Sequence, residues 1–296
     1  MRIAVVIATA GRRAACAQAI DAVQNAFAYV QGSALGVVSS PTDEDLPPVP
    51  DGWLKVTGVR GASAQRNAAC AKLPPDTDYV FYFDDDTVIR HDYLQRAVGH
   101  FQSHPEVVAV TGSLLADGAR EHREVSFEEA IALIEESWAR PQTTELSYQE
   151  TRELYGCNAA VRWSVARDYE FDERLPLYSW LEDHDLARRL LRHGRIHRID
   201  ALAVHRGSAS GGRASHVRLG YSQVANALWL HEKGSFPLWL ALEQILRPVL
   251  KNVALSLRPE ARYSYRRLRL RGNWAAGIDW LRNRGHALPE RILDIE

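Results

Sequence analysis

Tyr79-Val80-Phe81-Tyr82-Phe83-Asp84-Asp85-Asp86 is the stretch whose reading decides the fold. Five apolar or aromatic residues run directly into three carboxylates. The apolar run predicts a strand buried on both faces, as in a sheet covered by helices. The carboxylates follow where that strand leaves the core. Residues i and i+2 of an extended chain point the same way, so Asp84 and Asp86 project to one side of the strand end. Adjacent carboxylates repel, and a divalent cation with hard oxygen ligands is the natural offset. Ligands of α/β sheets bind beyond the carboxyl ends of strands. The stretch therefore predicts a metal and phosphate site, although read alone it also fits a solvated acidic loop.

Outward from it, strand and helix patterns alternate. Strands are predicted over Ile3–Ile7, Ala34–Val38 and Trp53–Val59, and helices over Ala14–Tyr29 and from Gly61 through Asn67, with Ser63 as the N-cap of the latter. Pro41 to Pro48 reads as a loop by its Pro and Asp content. This alternation indicates an α/β fold with a largely parallel sheet. Beyond residue 100, strands are predicted over Val107–Thr111, Leu154–Val161 (interrupted by Gly156) and Ile196–Val204, ending at His205. Helices are predicted over Ser126–Trp138 and Leu181–His193, and a Gly/Ser-rich loop covers 207–215.

From Val217 onward the pattern is helical only. Phe236–Leu257 is amphipathic, with Glu243, Arg247 and Lys251 on one face, and Pro248 is expected to kink it. Arg262–Arg284 is strongly basic, with Trp274 and Trp280 nearby. Such a tail suits either an anionic membrane surface or packing as a helical appendage, on the catalytic domain or in a dimer.

Composition narrows the class. The 296 residues are 46% hydrophobic and 25% charged, which predicts a packed domain rather than disorder. A net charge of −1 argues against a partner built of nucleic acid. Cys16, Cys70 and Cys157 are widely spaced and odd in number, as expected in a reducing cytosol. There is no secretory signal pattern and no apolar run of membrane-spanning length.

Three further segments add chemistry. Trp180-Leu181-Glu182-Asp183-His184-Asp185 places carboxylates at a helix start, where the helix dipole favours them, beside a Trp suited to stacking on a sugar. His205 ends a predicted strand and is a candidate ligand. Arg66, at a helix start, suits a phosphate.

Together these segments resemble the inverting glycosyltransferases of family 2, which have the GT-A fold. The matching pieces occur in the family's order: Val5-Val6-Ile7-Ala8-Thr9 with Gly11-Arg12, then Arg66-Asn67, then Asp84-Asp85-Asp86. Gly156-Cys157-Asn158-Ala159-Ala160 with Arg162 follows, then Glu182-Asp183, His205, and last Tyr221 and Asn226. The resemblance spans roughly residues 1 to 230. It implies an α/β, Rossmann-like, mostly parallel sheet with helices on both faces, plus a C-terminal helical region. Residues 1–215 would form the catalytic domain, with a nucleotide-binding half to about residue 115 and an acceptor half beyond it. Residues 216–296 would form the helical region.

The implied site follows residue by residue. Thr9, Gly11, Arg12, Arg66, Asp84 and Asp85 would lie at the nucleotide sugar. Asp86 and His205 would hold manganese or magnesium, with Arg66 or Arg213 near the diphosphate. Asp183 would be the general base, and Trp180 and Glu182 would receive the acceptor. The donor would be a nucleotide-diphosphate sugar of UDP or dTDP type. The acceptor would be a glycan or lipid-linked glycan, handled in the cytoplasm or at the inner face of a membrane. One departure stands out. The family often carries an acidic base-contacting segment after the second strand, but here that strand ends Val37-Val38-Ser39-Ser40-Pro41, leaving Asp43 or Asp45 as substitutes. The loops around Asp117–Arg123 and Pro141–Tyr148 would set sugar and acceptor. A nucleotidyltransferase, or a non-catalytic glycan- or nucleotide-binding scaffold, are the competing readings.

Overall fold

The computed structural model describes all residues except 122, 140–146, 208–214, 259, 261–263 and 296, and the backbone alone of residue 139. The elements run β1 (Arg2–Ala8), α1 (Arg13–Phe27), β2 (Ser33–Ser40), β3 (Leu54–Thr57), α2 (Ala62–Cys70), β4 (Tyr79–Asp84), β5 (Thr87–Ile89), α3 (Tyr93–Ser103), β6 (Val107–Asp117), α4 (Gly118–Glu121), α5 (Phe127–Ala139), β7 (Tyr148–Thr151), β8 (Asn158–Arg162), α6 (Trp163–Ala166), α7 (Glu182–Leu190), β9 (Arg195–His205), α8 (His216–Glu232), α9 (Leu238–Ser256) and α10 (Tyr265–Arg282). They fall into two compact units. The first is Met1–Arg60, Ala64–Phe171 and Leu186–Ser210; the second is Gly61–Ser63, Asp172–Asp185 and Gly211–Glu296.

The first unit is built on one sheet of order β3-β2-β1-β4-β8-β6-β9-β5, with β7 also paired to β9. Strands β3, β2, β1 and β4 are parallel, and β8 enters antiparallel to both β4 and β6. Strands β6 and β9 are parallel to each other. The apolar runs of β1 and β4 are needed because both sheet faces are covered. Ile3, Val5 and Ile7 point into a core shared with Ala19, Ile20 and Val23 of α1 and Leu94, Ala97 and Phe101 of α3. Ala4 and Val6 point the other way, into a core with Ala69 of α2, Ala166 of α6 and Leu186, Ala187 and Leu190 of α7. Each fully buried Val or Ile contributes about 1.5–3 kcal/mol, so a one-residue slip of β1 would forfeit several such terms at once.

Several boundaries differ from the sequence reading. The third strand spans only Leu54–Thr57. The strand expected over Leu154–Val161 starts at Asn158, because the Asn158 N–H turns back onto the Tyr155 carbonyl (2.9 Å). Ser63 is not an N-cap: α2 starts at Ala62, and the Ser63 N–H donates to Ser179 Oγ (3.1 Å).

Two pairings position the site. Short β5 lies antiparallel to β9, with Thr87 opposite His205. On the other side of β9, Asp117 at the end of β6 is also in register with His205. The Arg206 N–H donates to the Asp86 carbonyl (3.0 Å), so the turn after β4 is tied to the end of β9.

The second unit is helical. Leu175, Leu181, Ala227, Leu230, Phe236, Leu240 and Ala241 form one core cluster, and Tyr221, Val224, Ala225, Ala276 and Ile292 another. Helices α8 and α10 cross at two glycines. A Cβ on Gly220 would meet the Arg269 carbonyl at 2.0 Å, and one on Gly272 would meet the Val217 carbonyl at 2.0 Å. Buried amides fill the interior: Asn252 donates to Gln223 and Asn273, and Asn273 donates to the Gly220 carbonyl. Among the described residues, no helix is long and apolar enough to cross a membrane.

Candidate active site

The first unit brings Asp84, Asp86 and His205 together. One ligand atom from each lies within 4.8 Å of the other two. His205 Nε2 stands 3.4 Å from Asp86 Oδ1 and 3.7 Å from Asp84 Oδ2. Its other ring nitrogen, Nδ1, is 3.0 Å from Asp117 Oδ1. With Nδ1–H donating to Asp117, Nε2 faces the two carboxylates, and on losing its proton it would offer its lone pair to a metal held between them. That is the carboxylate–histidine arrangement that orients a metal-binding imidazole. Two carboxylate oxygens and one imidazole nitrogen suit a divalent ion such as manganese or magnesium.

The local field agrees. Burial opposes a charge on His205, but Cys157 and the hydrogen bonds with Asp117 and Asp86 outweigh it and hold its pKa well above the ordinary histidine value. The point between the carboxylates therefore attracts positive charge. Burial also pushes Asp117 upward, yet hydrogen bonds from His205 and Tyr155 keep it below the usual carboxylate range. Tyr155 Oη donates to Asp117 Oδ2 at 2.8 Å. Sequence reasoning missed Asp117 and Tyr155 in this orienting role. The available signal was that Asp117, like Asp84 and His205, ends a core strand.

Around this group the other expected residues tie down the acidic turn. Asp85 is outside the Asp84–Asp86–His205 group and is fully buried. It accepts from Thr9 Oγ1 (2.6 Å) and Arg12 Nε (3.1 Å), and Arg12 pairs with it again through Nη2. Burial pushes Asp85 up to about 7 against the pull of Arg12. Arg12 Nη1 reaches across to Asp86 Oδ2 (3.0 Å). Arg66 is buried, donates to Asp84 Oδ1 (2.9 Å) and the Gly156 carbonyl (3.2 Å), and lies over the Phe171 ring. Gly11, at φ 70°, donates its N–H to Asp45 Oδ1 (2.9 Å). A cavity of about 380 Å³ opens beside that loop, lined by Arg13, Asp43, Leu46, Pro47, Pro48 and Lys55.

Trp180, Glu182 and Asp183 belong to the second unit. Asp183 is partly exposed in the first turn of α7, and its Oδ1 accepts the His184 N–H (2.8 Å). Glu182 is buried. Trp180 is half-buried against the Leu175–Leu181 cluster, and its carbonyl accepts from Asn226 Nδ2 (2.8 Å). The backbone before α7 is unusual. Leu177 (φ 60°), Ser179 (φ 53°) and Leu181 (φ 77°) are all left-handed, at about 1–2 kcal/mol each for residues with a Cβ. Hydrogen bonds hold this shape: Ser179 Oγ donates to the Leu175 carbonyl (2.6 Å), and the Ala62 N–H donates to the Leu177 carbonyl (2.8 Å). Lys233 Nζ clamps both ends of the segment, at 2.7 Å from Asp172 and 2.8 Å from Asp185. These three residues carried no sequence signal that linked them. Arg213 and most of the Pro141–Tyr148 loop lie outside the described residues.

A mixed α/β sheet with helices on both faces, which gathers at the ends of β4 and β9 an Asp-Asp-His group that could hold a metal ion, has the architecture of a GT-A type transferase. The chain belongs to glycosyl transferase family group 2, whose model matches residues 79–283, and it is a glycosyltransferase. Among solved structures it is similar to the mannosyltransferase PcManGT from Pyrobaculum calidifontis, in complex with GDP-Man and Mn2+. The TM-score is 0.57 at 16% identity, covering 94% of this chain and 87% of that one. It is also similar to S. aureus TarS, with a TM-score of 0.52 at 15% identity over 88% of this chain and 46% of that one. The TarS 1–349 structure with UDP-GlcNAc gives 0.52 at 16% identity, over 99% and 83%. No match is found among curated proteins.

Proposed function

We propose that this glycosyltransferase moves a sugar, with inversion, from a nucleotide diphosphate to a glycan or lipid-linked glycan acceptor. The observation that carries the reading is the Asp84–Asp86–His205 group at the ends of β4 and β9 in a family 2 fold. A divalent cation held by these three side chains would offset the charge of the departing diphosphate. Arg12 and Arg66 keep the acidic turn in shape through Asp85, Asp86 and Asp84. The donor is taken to be of UDP or dTDP type, with the cavity beside Asp43 and Lys55 as room for a base. The two proteins compared bind GDP-Man and UDP-GlcNAc, so GDP is the competing nucleotide.

In the transfer, the acceptor hydroxyl oxygen attacks the anomeric carbon from the face opposite the diphosphate. Its proton passes to Asp183, the general base. The bond to the diphosphate oxygen breaks and its electron pair leaves with that oxygen, through a transition state of oxocarbenium character. Glu182 positions the acceptor and Trp180 stacks on its ring. The basic C-terminal helices bring the protein to an anionic membrane where a lipid-linked acceptor resides.

Calorimetry with UDP, dTDP and GDP, each with and without manganese, tests the donor site. Binding should require the metal and vanish in Asp86→Ala. Asp183→Asn should keep nucleotide binding and lose transfer by at least 100-fold on the usual scale of general-base catalysis. Failure of every nucleotide to bind would sink the reading.

A further inference from the structure

Helix α9 packs one side into the second unit and leaves the other uncovered. Leu240, Ala241 and Asn252 are buried, with Ile245 and Val249 half-buried beside them. At 3.6 residues per turn, Trp239, Leu242, Leu246, Leu250, Val253 and Leu257 fall in one row on the far side. All six are between 42% and 80% exposed. Scattered exposed leucines are ordinary, but an unbroken apolar row along a whole helix marks an interaction face. The proposed transfer uses none of these residues.

Three properties of the row point to what covers it. The first is its spacing, which matches its own reversal. Turning a copy of α9 end to end about Pro248 sets Trp239 opposite Leu257 and Leu246 opposite Leu250, and brings Leu242 within one residue of Val253. An isologous two-fold contact requires such self-complementarity, whereas a bilayer or an unrelated partner does not. The second is charge. Glu243, Arg247 and Lys251 are exposed, four residues apart, and line one edge of the row; Glu243 is the one acid of the helix. In an antiparallel pair the same edge of each helix meets its counterpart. Glu243 of one copy then comes within two residues, about 3 Å along the axis, of Lys251 of the other, twice by symmetry. Arg247 sits beside the two-fold axis and is the one like-charge contact. The third is area. The six residues expose roughly 700 Å² per copy, so two copies would bury about 1,400 Å², inside the range of specific, stable interfaces.

We propose that α9 is the contact of a homodimer, in which two copies of this chain meet antiparallel across a two-fold axis beside Pro248. The leucine rows interdigitate, and Glu243 pairs with Lys251 of the second copy on either side of the axis. The contact is closed, because one patch serves both copies, and assembly stops at two. An anionic bilayer would also take the leucines, but it would disfavour Glu243 at the edge of the row and would be indifferent to the symmetry of the spacing. The inference goes beyond the proposed sugar transfer and does not depend on it.

The test is sedimentation equilibrium of the whole protein at micromolar concentrations, with circular dichroism as the measure that each variant is folded. Wild type should sediment as a dimer of the 33.3 kDa chain. Leu246→Gln with Leu250→Gln should raise the dissociation constant about 1,000-fold or more, because symmetry removes four leucines from the contact. Glu243→Lys should raise it about tenfold, from two ion pairs lost at the edge. Adding Lys251→Glu to Glu243→Lys should bring it back to within about threefold of wild type, since the pair is then rebuilt with its signs exchanged. Three results would overturn the proposal: a monomer at about 100 μM, too weak for a specific dimer; a dimer indifferent to the leucine pair; or a loss in Glu243→Lys that Lys251→Glu does not repair. A monomer that floats with phosphatidylglycerol vesicles, and ceases to when the leucine pair is replaced, would assign the row to a bilayer and also overturn it.

Discussion

Replacing Asp117 with Asn tests the orientation of His205, the imidazole proposed to bind the metal, with almost no change of shape. Asp117 Oδ1 takes the His205 ring N–H at 3.0 Å and the Arg120 N–H at 3.3 Å, while Oδ2 takes Tyr155 Oη at 2.8 Å. An asparagine has one accepting oxygen for these two sides. If its oxygen faces His205, the Tyr155 hydroxyl turns to accept from the new amide, the tautomer survives and only the charge is lost. If its NH2 faces His205, the imidazole must move its proton to Nε2 and surrender the lone pair aimed at Asp84 and Asp86. Orienting carboxylates of this kind are worth 10- to 100-fold in metal affinity, about 1.4–2.7 kcal/mol, and the two amide orientations correspond to the ends of that range. The expected outcome is therefore a 10- to 100-fold rise in the manganese Kd, followed by electron paramagnetic resonance of the free ion, with thermal stability nearly unchanged. Tyr155→Phe should cost less than Asp117→Asn, about tenfold at most, because it removes one hydrogen bond worth about 0.5–1.5 kcal/mol from the carboxylate, not from the imidazole. Unaltered manganese affinity in Asp117→Asn, alongside its loss in Asp86→Ala, would refute the assignment of His205 as an oriented ligand.

Other consequences are open to measurement. Burial, helped by His104 and His197, lowers His100 from 6.5 to about 4, and its ring meets His197 at 2.9 Å. The unfolded chain takes up that proton first, so this stability is complete above pH 6.5 and is lost as pH falls toward 4, by up to about 3 kcal/mol. Urea titrations at several pH values should show this slope, and His100→Gln should flatten it. Arg12→Ala leaves fully buried Asp85 with Thr9 as its remaining side-chain hydrogen bond among the described residues; about 3 kcal/mol of stability should go, by the cost of breaking a buried pair from one side, and a loss under 1 kcal/mol in denaturant titration would contradict the buried latch. Lys233→Met removes the cation that Asp172 and Asp185 share. It should lower transfer more than nucleotide binding if the 172–185 segment positions Asp183, and equal effects on both would argue against that role.

Legibility in the sequence followed the source of each constraint. β1 and β4 were readable because burial on both faces demands an unbroken apolar run, and Asp84–Asp86 were readable because a carboxylate run has few other uses at a strand end. His205 was found by the same position argument. Asp117 escaped because β6 runs on past its apolar start into Gly112-Ser113-Leu114, where the pattern fades although the strand continues. β5 is three residues long and β7 four, too short for a period to register, and both exist because β9 offers an edge. Ser63 was misread for a related reason: a serine at a helix start looks like a cap, yet the cap group is Ser179, distant in sequence. Backbone strain at Leu177, Ser179 and Leu181 leaves no trace in residue type, since glycine or asparagine would have been the usual choice there.

The pairing of β5 with β9 also sets an order of events during synthesis. Asp84 and Asp86 leave the ribosome together, but His205 follows Asp117 by 88 positions and comes after every other strand of the sheet. The Asp84–Asp86–His205 group closes only when β9 slots beside β5 and β6. A nascent chain stopped before β9 would carry two bare carboxylates and no third ligand, so metal capture reports a completed sheet. Loss of the last strand should therefore show as lost metal before it shows as lost helix, and a chain truncated after β8 would be inert however well its first half had folded.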